Sequence, residues 1–259
     1  MIIIGEKLNS SIKSVYNAIK DKDEDFIKSL IVNQQAAGAD YLDVNAGAFL
    51  DEEEENLVWL LDKVSKYSSI APVIDTPDSE LALKIAKNYS GPDPIINSIT
   101  LEQPRFDNML NAAKCCNAGL VALCVDDESD DIPSIAYKLS DKLVQNGLDY
   151  SKIYIDPLIK PLSSGEGFGL EALNNIKLIR KELPDIHIVC GLSNISYGLP
   201  KRAVLNRAFL TCAMLSGLDS AIINPLDKDL MSCIYAADVI LDNDEYCMNY
   251  IQAYKEQKI

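Results

Sequence analysis

A single histidine, His187, stands in the 259-residue chain, so no site that needs two imidazoles can be built from it and a histidine-based triad is not expected. His187 opens the apolar stretch that ends at Cys190, at the end away from the following loop, which points to a structural role. The seven cysteines (Cys115, Cys116, Cys124, Cys190, Cys212, Cys233, Cys247) form no C-x-x-C pair. Neither a zinc knuckle nor a disulfide framework is therefore expected, and they read as small reduced core residues. No apolar run approaches the roughly 20 residues that a membrane helix needs. Met1 to Ile4 passes directly into Gly5-Glu6 with no basic segment or cleavage site, so a cytoplasmic protein is expected. Basic residues are scarce: 24 Lys and Arg face 39 Asp and Glu, for a formal charge of −15. That balance repels phosphate backbones and argues against nucleic acid as a partner. Linkers rich in Pro, Gly or Ser and low-complexity tracts are also missing, so residues 1–259 read as one domain.

What is present is an alternation of short β-branched runs with amphipathic stretches of helical period, the pattern of βα units and a parallel sheet. Eight strands are predicted: Ile2 to Lys7, Tyr41 to Val44, Pro72 to Asp75, Pro94 to Asn97, Leu120 to Val125, Ile153 to Asp156, His187 to Cys190 and Ser220 to Ile223. Helices are predicted over Ile12 to Ala37, Glu52 to Lys66, Ser79 to Asn88, Arg105 to Ala118, Ile135 to Asn146, Leu170 to Glu182, Lys201 to Ser216 and Lys228 to Ile240. A final helix is expected over Asp244 to Gln257. Eight such units in a chain of this length predict a (β/α)₈ TIM barrel, which collects the strand ends at one mouth.

Those strand ends deliver, in order, Asn9, Asn45, Asp75, Asn97, Asp126, Asp156, Asn194 and Asn224. Turn and cap chemistry accounts for many Asp and Asn residues at such places. Together they describe a polar cup without the Lys and Arg cluster that a sugar phosphate would need. Such a cup suits a flat ligand with several donors and acceptors along one edge. A pterin is such a ligand: its amino group and adjacent ring N–H form a guanidinium-like edge that one carboxylate can accept bidentately. Asp156 is the choice for that edge. Asn97 suits the amino group with an unprotonated ring nitrogen, and Asp75 the remaining ring N–H.

In order and spacing, Asp75, the Ile96-Asn97-Ser98 turn, the Tyr154-Ile155-Asp156-Pro157-Leu158 run and Gly191-Leu192-Ser193-Asn194-Ile195-Ser196 resemble the pterin-binding methyltransferases. The closest likeness is to the methyltetrahydrofolate:corrinoid protein methyltransferases. It takes in Ile3-Ile4-Gly5-Glu6-Lys7-Leu8-Asn9, Leu42-Asp43-Val44-Asn45-Ala46-Gly47 and Leu205-Asn206-Arg207-Ala208-Phe209-Leu210. The resemblance implies a (β/α)₈ barrel, commonly a homodimer, that binds tetrahydrofolate or 5-methyltetrahydrofolate at its mouth. It also implies a corrinoid (cobalamin) delivered by a separate corrinoid protein; the sequence offers no metal-ligand set, so no metal is expected on this chain.

The implied reaction moves a methyl group between N5 of the folate and cobalt, in either direction, as in acetyl-CoA metabolism or the demethylation of O- and N-methyl compounds. Asn194 matches the family position that stabilises protonated N5, and is the catalytic choice. Arg202 matches a position near the folate tail, although a solvated role suits it equally. Ser220, which opens the last strand, is carried as a binding position beside its plainer structural reading. Glu6, Asn9, Asn45 and Tyr197 are further candidates. Tyr197 departs from relatives that carry Gln, and Glu6, if it points into the barrel, needs a partner.

Three local patterns are set aside. Gly165-Glu166-Gly167-Phe168-Gly169 has the wrong spacing for a dinucleotide loop. Asp185-Ile186-His187 with Gly191 misses the D-x-H-x-x-G corrinoid-ligating pattern by one place. The acids from Asp51 to Glu55 complement a helix dipole. Two rival functions remain: a dihydropteroate synthase-like enzyme, and a folate-binding barrel without catalysis. A synthase needs a Lys and a C-terminal anion site where this chain has Asn194 and Asn224.

Overall fold

The computed structural model describes residues 1–259 as eight parallel strands closed into a barrel in sequence order. They are β1 (Ile2–Asn9), β2 (Tyr41–Asn45), β3 (Ala71–Asp75), β4 (Ile95–Ile99), β5 (Gly119–Leu123), β6 (Ile153–Asp156), β7 (His187–Gly191) and β8 (Ser220–Ile223). Around them lie α1 (Lys13–Lys20), α2 (Glu24–Ala36), α3 (Glu53–Tyr67), α4 (Ser79–Asn88), α5 (Arg105–Cys116), α6 (Ile132–Gln145), α7 (Phe168–Glu182), α8 (Arg202–Ser216), α9 (Lys228–Ile240) and α10 (Met248–Lys255). The expected (β/α)₈ barrel is the observed one. No helix is long and apolar enough to cross a membrane.

Side chains alternate across a strand, so the barrel interior receives every second residue. Its lower layer is apolar: Ile4, Val73, Ile95, Val121, Tyr154 and Val189 form a cluster of their own, with Ile2, Tyr41 and Ile222 against it. Two residues further along the same strands stand Glu6, Asp75, Asn97, Asp156 and Gly191, with Asp43 two beyond Tyr41. The polar cup is thus the next layer of a packed barrel. A larger cluster of 60 buried residues fills the space between strands and helices. Each fully buried Ile, Leu or Val there contributes roughly 1.5–3 kcal/mol.

β1 carries a register shift between Gly5 and Leu8. It lets both Glu6 and Asn9 face the mouth although their separation is odd, as a bulge re-aims side chains. Gln34, fully buried on α2, fills the irregularity and accepts the Lys7 N–H at 2.9 Å through Oε1. A Cβ at Gly5 would lie 2.6 Å from that oxygen, so only glycine allows this approach.

The structure departs from expectation in three places. The stretch Ile12 to Ala37 is two helices: Lys22 takes a left-handed φ of 52° and Asp23 caps α2 by accepting from Phe26 N–H at 3.1 Å. The C-terminal stretch is broken as well, with left-handed Tyr246 and Cys247 and with Asp244 accepting from Asn249 and Tyr250 N–H. Of the seven cysteines only Cys124 and Cys190 are buried, while Cys115 and Cys212 are exposed, so most are not core residues.

The lower end of the barrel is closed by a polar cluster. His187 Nδ1 lies 3.0 Å from Asp219 Oδ2 and its ring stacks on Tyr154 at 4.7 Å, in keeping with a structural role. Arg180 pairs with the same carboxylate at 3.0 Å, and Asp219 Oδ1 accepts from Ile188 N–H at 2.8 Å.

Candidate active site

The first four strands end in register: Asn9 opposite Asn45, Asn45 opposite Asp75, and Asp75 opposite Asn97. Asn45 works inside this row. Its Nδ2 donates to Asp75 Oδ2 at 2.9 Å, and its Oδ1 accepts from Ser10 Oγ and Gly47 N–H, each at 3.1 Å. It therefore orients the Asp75 carboxylate and fixes the β1 and β2 loops together. Asn9 Oδ1 accepts from Ser11 N–H at 2.9 Å, the turn role open to any Asn.

Burial pushes the Asp75 carboxyl up to about 6, with nearby Glu53 adding to the effect and the Asn45 bond opposing it. Asp156, at the end of β6, is raised by burial to about 6 as well, held back by the Leu158 N–H it accepts at 2.9 Å. Its flanks are the buried thiols of Cys124 and Cys190, both pushed up by burial and then by the Asp156 charge. Asp43 is only 2% exposed, and its Oδ1 has no hydrogen-bond partner. Burial first, then the charges of Asp75 and Glu6, hold its carboxyl well above the usual range, while Asn9 pulls the other way. Glu6 has the partner it needed: Lys7 Nζ at 3.2 Å.

A cavity of about 600 Å³ opens among these groups, within the range of small-ligand sites. Glu6, Asn9, Asp75, Asn194 and Arg202 all line it, as do Lys7, Asp43, Asn206, Asn224 and Asp227. Asn97 and Asp156 occupy the adjoining arc of the rim on β4 and β6 and do not line this cavity. Asn45 stands behind Asp75. Ser220 is a correction: it starts β8 level with Ile2, is fully buried, and donates to Asp219 Oδ1 at 3.1 Å. The first residue of a parallel barrel strand lies at the end opposite the mouth, so Ser220 belongs to the lower closure. Asp126 is used locally, by Glu128 N–H at 3.2 Å and by Lys138 at 3.4 Å.

Asn194 lies in a 3₁₀ turn, Leu192–Asn194, straight after β7. The segment around it is fixed from two sides. Leu162 N–H donates to Ile195 O at 3.0 Å and Ser163 Oγ to Tyr197 O at 2.6 Å. Arg202 donates through Nη2 to Ser193 O at 2.6 Å and through Nε to Ser196 Oγ at 3.1 Å. Arg202 thus braces the loop, with its guanidinium 5.9 Å from the exposed Tyr197 ring, and keeps the two Nη1 hydrogens and one on Nη2 free for a ligand. The Asn194 side chain is exposed and makes no hydrogen bond to protein.

Sequence reasoning missed Asp43, Lys7, Asn206 and Asp227 as cavity residues. Asp43 carried a signal, being a charge at the inward parity of an apolar strand. Asn206 carried a fainter one, since it is four residues from Arg202 and so on the same helix face. No group of three or more His, Cys, Asp or Glu side chains is disposed to hold a metal ion.

Comparison with known proteins agrees with this geometry. The family model described as "Pterin binding enzyme" matches residues 5–224. A methylcorrinoid:tetrahydrofolate methyltransferase of Eubacterium limosum is 37% identical over 268 aligned positions, covering 100% of this chain and 98% of that protein. A methionine synthase of Mycobacterium tuberculosis is 28% identical over 242 positions, covering 86% of this chain and 20% of that larger protein. Among solved structures, a dihydropteroate synthase of Stenotrophomonas maltophilia superposes with a TM-score of 0.68 at 15% identity, over 94% of this chain and 92% of that one. The Yersinia pestis enzyme with a pterine-sulfa conjugate gives 0.67 at 14%, over 93% of each. Likenesses at that identity establish the fold alone, whereas the family match and the full-length relative establish descent: the chain belongs to the pterin-binding enzyme family.

Proposed function

We propose that the protein is a methyltransferase that moves a methyl group from the cobalt of a methylated corrinoid, carried on a separate protein, to N5 of tetrahydrofolate. The observation that carries this reading is full-length 37% identity to an enzyme named for that reaction. The unpartnered amide of Asn194 at the rim of a polar cavity supports it. In the proposed pose Asp156 accepts from the pterin amino group and adjacent N–H, Asn97 pairs with the amino group and a ring nitrogen, and Asp75 accepts from the remaining N–H. Raised carboxyl pKa values are what burial of such acceptors produces, and ligand N–H groups would return them to the ionised state.

In the reaction the N5 lone pair attacks the methyl carbon. The N5–C bond forms as the Co–C bond breaks, its electron pair stays on cobalt, which passes from Co(III) to Co(I), and the N5 proton is released. Positive charge builds on N5 only as the new bond forms. A carbonyl oxygen that accepts from N5–H at that moment therefore stabilises the transition state more than the ground state. Asn194 supplies that oxygen, and it serves the reverse direction equally. An amide has no useful acidity near neutral pH, so the proton passes on to water or a carboxylate.

The partner is a corrinoid protein that presents its cobalt at the mouth, and the setting is cytoplasmic. The chain acts as a homodimer. Support comes from α8, whose outward face carries Val204, Ala208, Cys212 and Leu215, an uncharged stripe within one arc of the helix on a chain of charge −15. Val204 and Leu215 are 60% and 74% exposed. The synthase alternative gains nothing at β7 and β8, where Asn194 and Asn224 stand.

The test is anaerobic spectroscopy of methylcobalamin with tetrahydrofolate and the protein. Protein-dependent loss of methyl-Co(III) absorbance with appearance of Co(I) and 5-methyltetrahydrofolate is expected. Folate binding without conversion, with free and with protein-bound corrinoid alike, would refute the enzyme.

A further inference from the structure

We infer that Glu53 is a positioning residue of the pterin edge: through the buried hydroxyl of Thr76 it holds Asp75 and Asn97 at the spacing at which both can meet one ligand. Of the five acids from Asp51 to Glu55, four are exposed and Glu53 alone turns inward, with 8% exposure. Any acid in that turn would serve the dipole of α3, so the dipole does not explain why this one is buried. A buried carboxylate needs a hydrogen-bond partner, and Glu53 has one: Thr76 Oγ donates to its Oε1 at 2.6 Å. Glu53 does not line the cavity, so it stands behind the site rather than in it.

Thr76 is the hub of this arrangement and is 1% exposed. It directly follows Asp75, and its N–H donates to Asn97 O at 3.2 Å, across the pair in which Asp75 and Asn97 are register partners. The hydroxyl, whose one hydrogen goes to Glu53, accepts in turn from Asp78 N–H at 3.1 Å, and Asp78 caps α4. Between them Pro77 O accepts from Arg105 Nη1 at 2.6 Å. Without Glu53 the Thr76 hydroxyl loses its acceptor, and the peptide that joins Asp75 to Asn97 loses its anchor on α3. Glu53 also acts through its charge. The charged and titratable groups around Asp75 are Asp43 on β2, Glu53 on α3 and Arg105 on α5, with Glu6 on β1 beside Asp43. Glu53 opposes ionisation of Asp75, and Arg105 favours it. This inference rests on the proposed use of Asp75 and Asn97 at the pterin ring.

The experiment is calorimetry of wild type, Glu53→Ala, Glu53→Gln and Thr76→Val with tetrahydrofolate and 5-methyltetrahydrofolate across pH, beside an NMR titration of the Asp75 carboxyl in the folate-free protein. Near neutral pH, Glu53→Ala and Thr76→Val should each weaken both folates about tenfold, the size of one lost charge-assisted bond. Combined, they should weaken binding no more than about twofold beyond either alone, since both break the same bond. In turnover the loss should fall on KM for folate and leave kcat within about threefold, the mark of a group that orients binding. Glu53→Gln keeps an acceptor for Thr76 and removes the charge. It should restore the neutral-pH affinity, lower the Asp75 titration below about 6, and keep about threefold more of that affinity at roughly pH 5 than wild type does. An alanine variant that binds like wild type, or a Gln variant with the wild-type pH profile and Asp75 titration, overturns the inference. Should the alanine variant not fold, the Gln variant and the titration decide by themselves. Wild-type protein that binds neither folate sinks the functional reading instead, and an Asp75 titration unmoved by Glu53→Gln still overturns the role of Glu53.

Discussion

Asn45 donates its side-chain amide to Asp75 across the β2–β3 pair, at 2.9 Å, from the position directly opposite in register. The bond keeps a buried carboxyl from rising further. Asn45→Ala should therefore move the Asp75 titration above about 6 and weaken folate near neutral pH. Calorimetric affinity measured against pH reads this directly. A profile that matches wild type would show that Asn45 serves only its loops.

Folate binding should itself fall with acid. Asp75 and Asp156 are both raised to about 6, and only the ionised forms accept from two N–H groups. Affinity should be level above roughly pH 7 and decline as pH drops through about 6, since below that value each tenfold rise in proton concentration cuts the ionised fraction of each acceptor about tenfold. Constant affinity down to pH 5 would remove both from the binding edge.

Asp156→Asn keeps the shape and removes the charge. A charge-assisted bond contributes about 1.5–3 kcal/mol, so both folates should bind about tenfold to a hundredfold more weakly. Wild-type affinity in this variant would refute the assignment.

Asn194→Ala should act on the chemistry. Loss of one such acceptor lowers turnover on the order of a hundredfold or more, while tetrahydrofolate binding weakens by less than about tenfold. Single-turnover spectroscopy separates the two, and an unchanged rate would take Asn194 out of the mechanism.

At the other end of the barrel, burial alone would raise Asp219, but the His187 bond, the Ile188 N–H and Arg180 together hold its carboxyl below the usual range. Stability from a lowered pKa is present above the ordinary carboxylate value and lost as pH falls through the folded one. Asp219→Ala should reduce stability by about 1–3 kcal/mol at pH 7, by leaving buried donors unpaired. In denaturant titrations the difference from wild type should shrink as pH approaches 3.

The barrel was legible because strand parity and helical period are properties of the chain itself. Strand ends at Asp75 and Asp156 and helix α4 fall where the pattern puts them. The broken helix at Lys22 was not legible, because a left-handed residue without glycine leaves no mark in a periodic stretch. Asp75, Asn194 and Arg202 meet at one cavity as their strand and loop positions implied. Ser220 did not follow, since a residue that opens a strand faces the closed end however well its neighbourhood resembles a binding motif. Asp43 was overlooked because a mid-strand carboxylate usually signals an exposed face, and here the strand turns it inward.

Helix α8 has Arg202 and Asn206 toward the cavity and Val204, Ala208, Cys212 and Leu215 along its outer side. One rigid rod therefore joins the loop that carries Asn194 to the outer surface of the molecule. The helix that holds Ser193 O through Arg202 thus also presents Val204 and Leu215 to the outside, so whatever covers that stripe sits one helix away from the loop after β7.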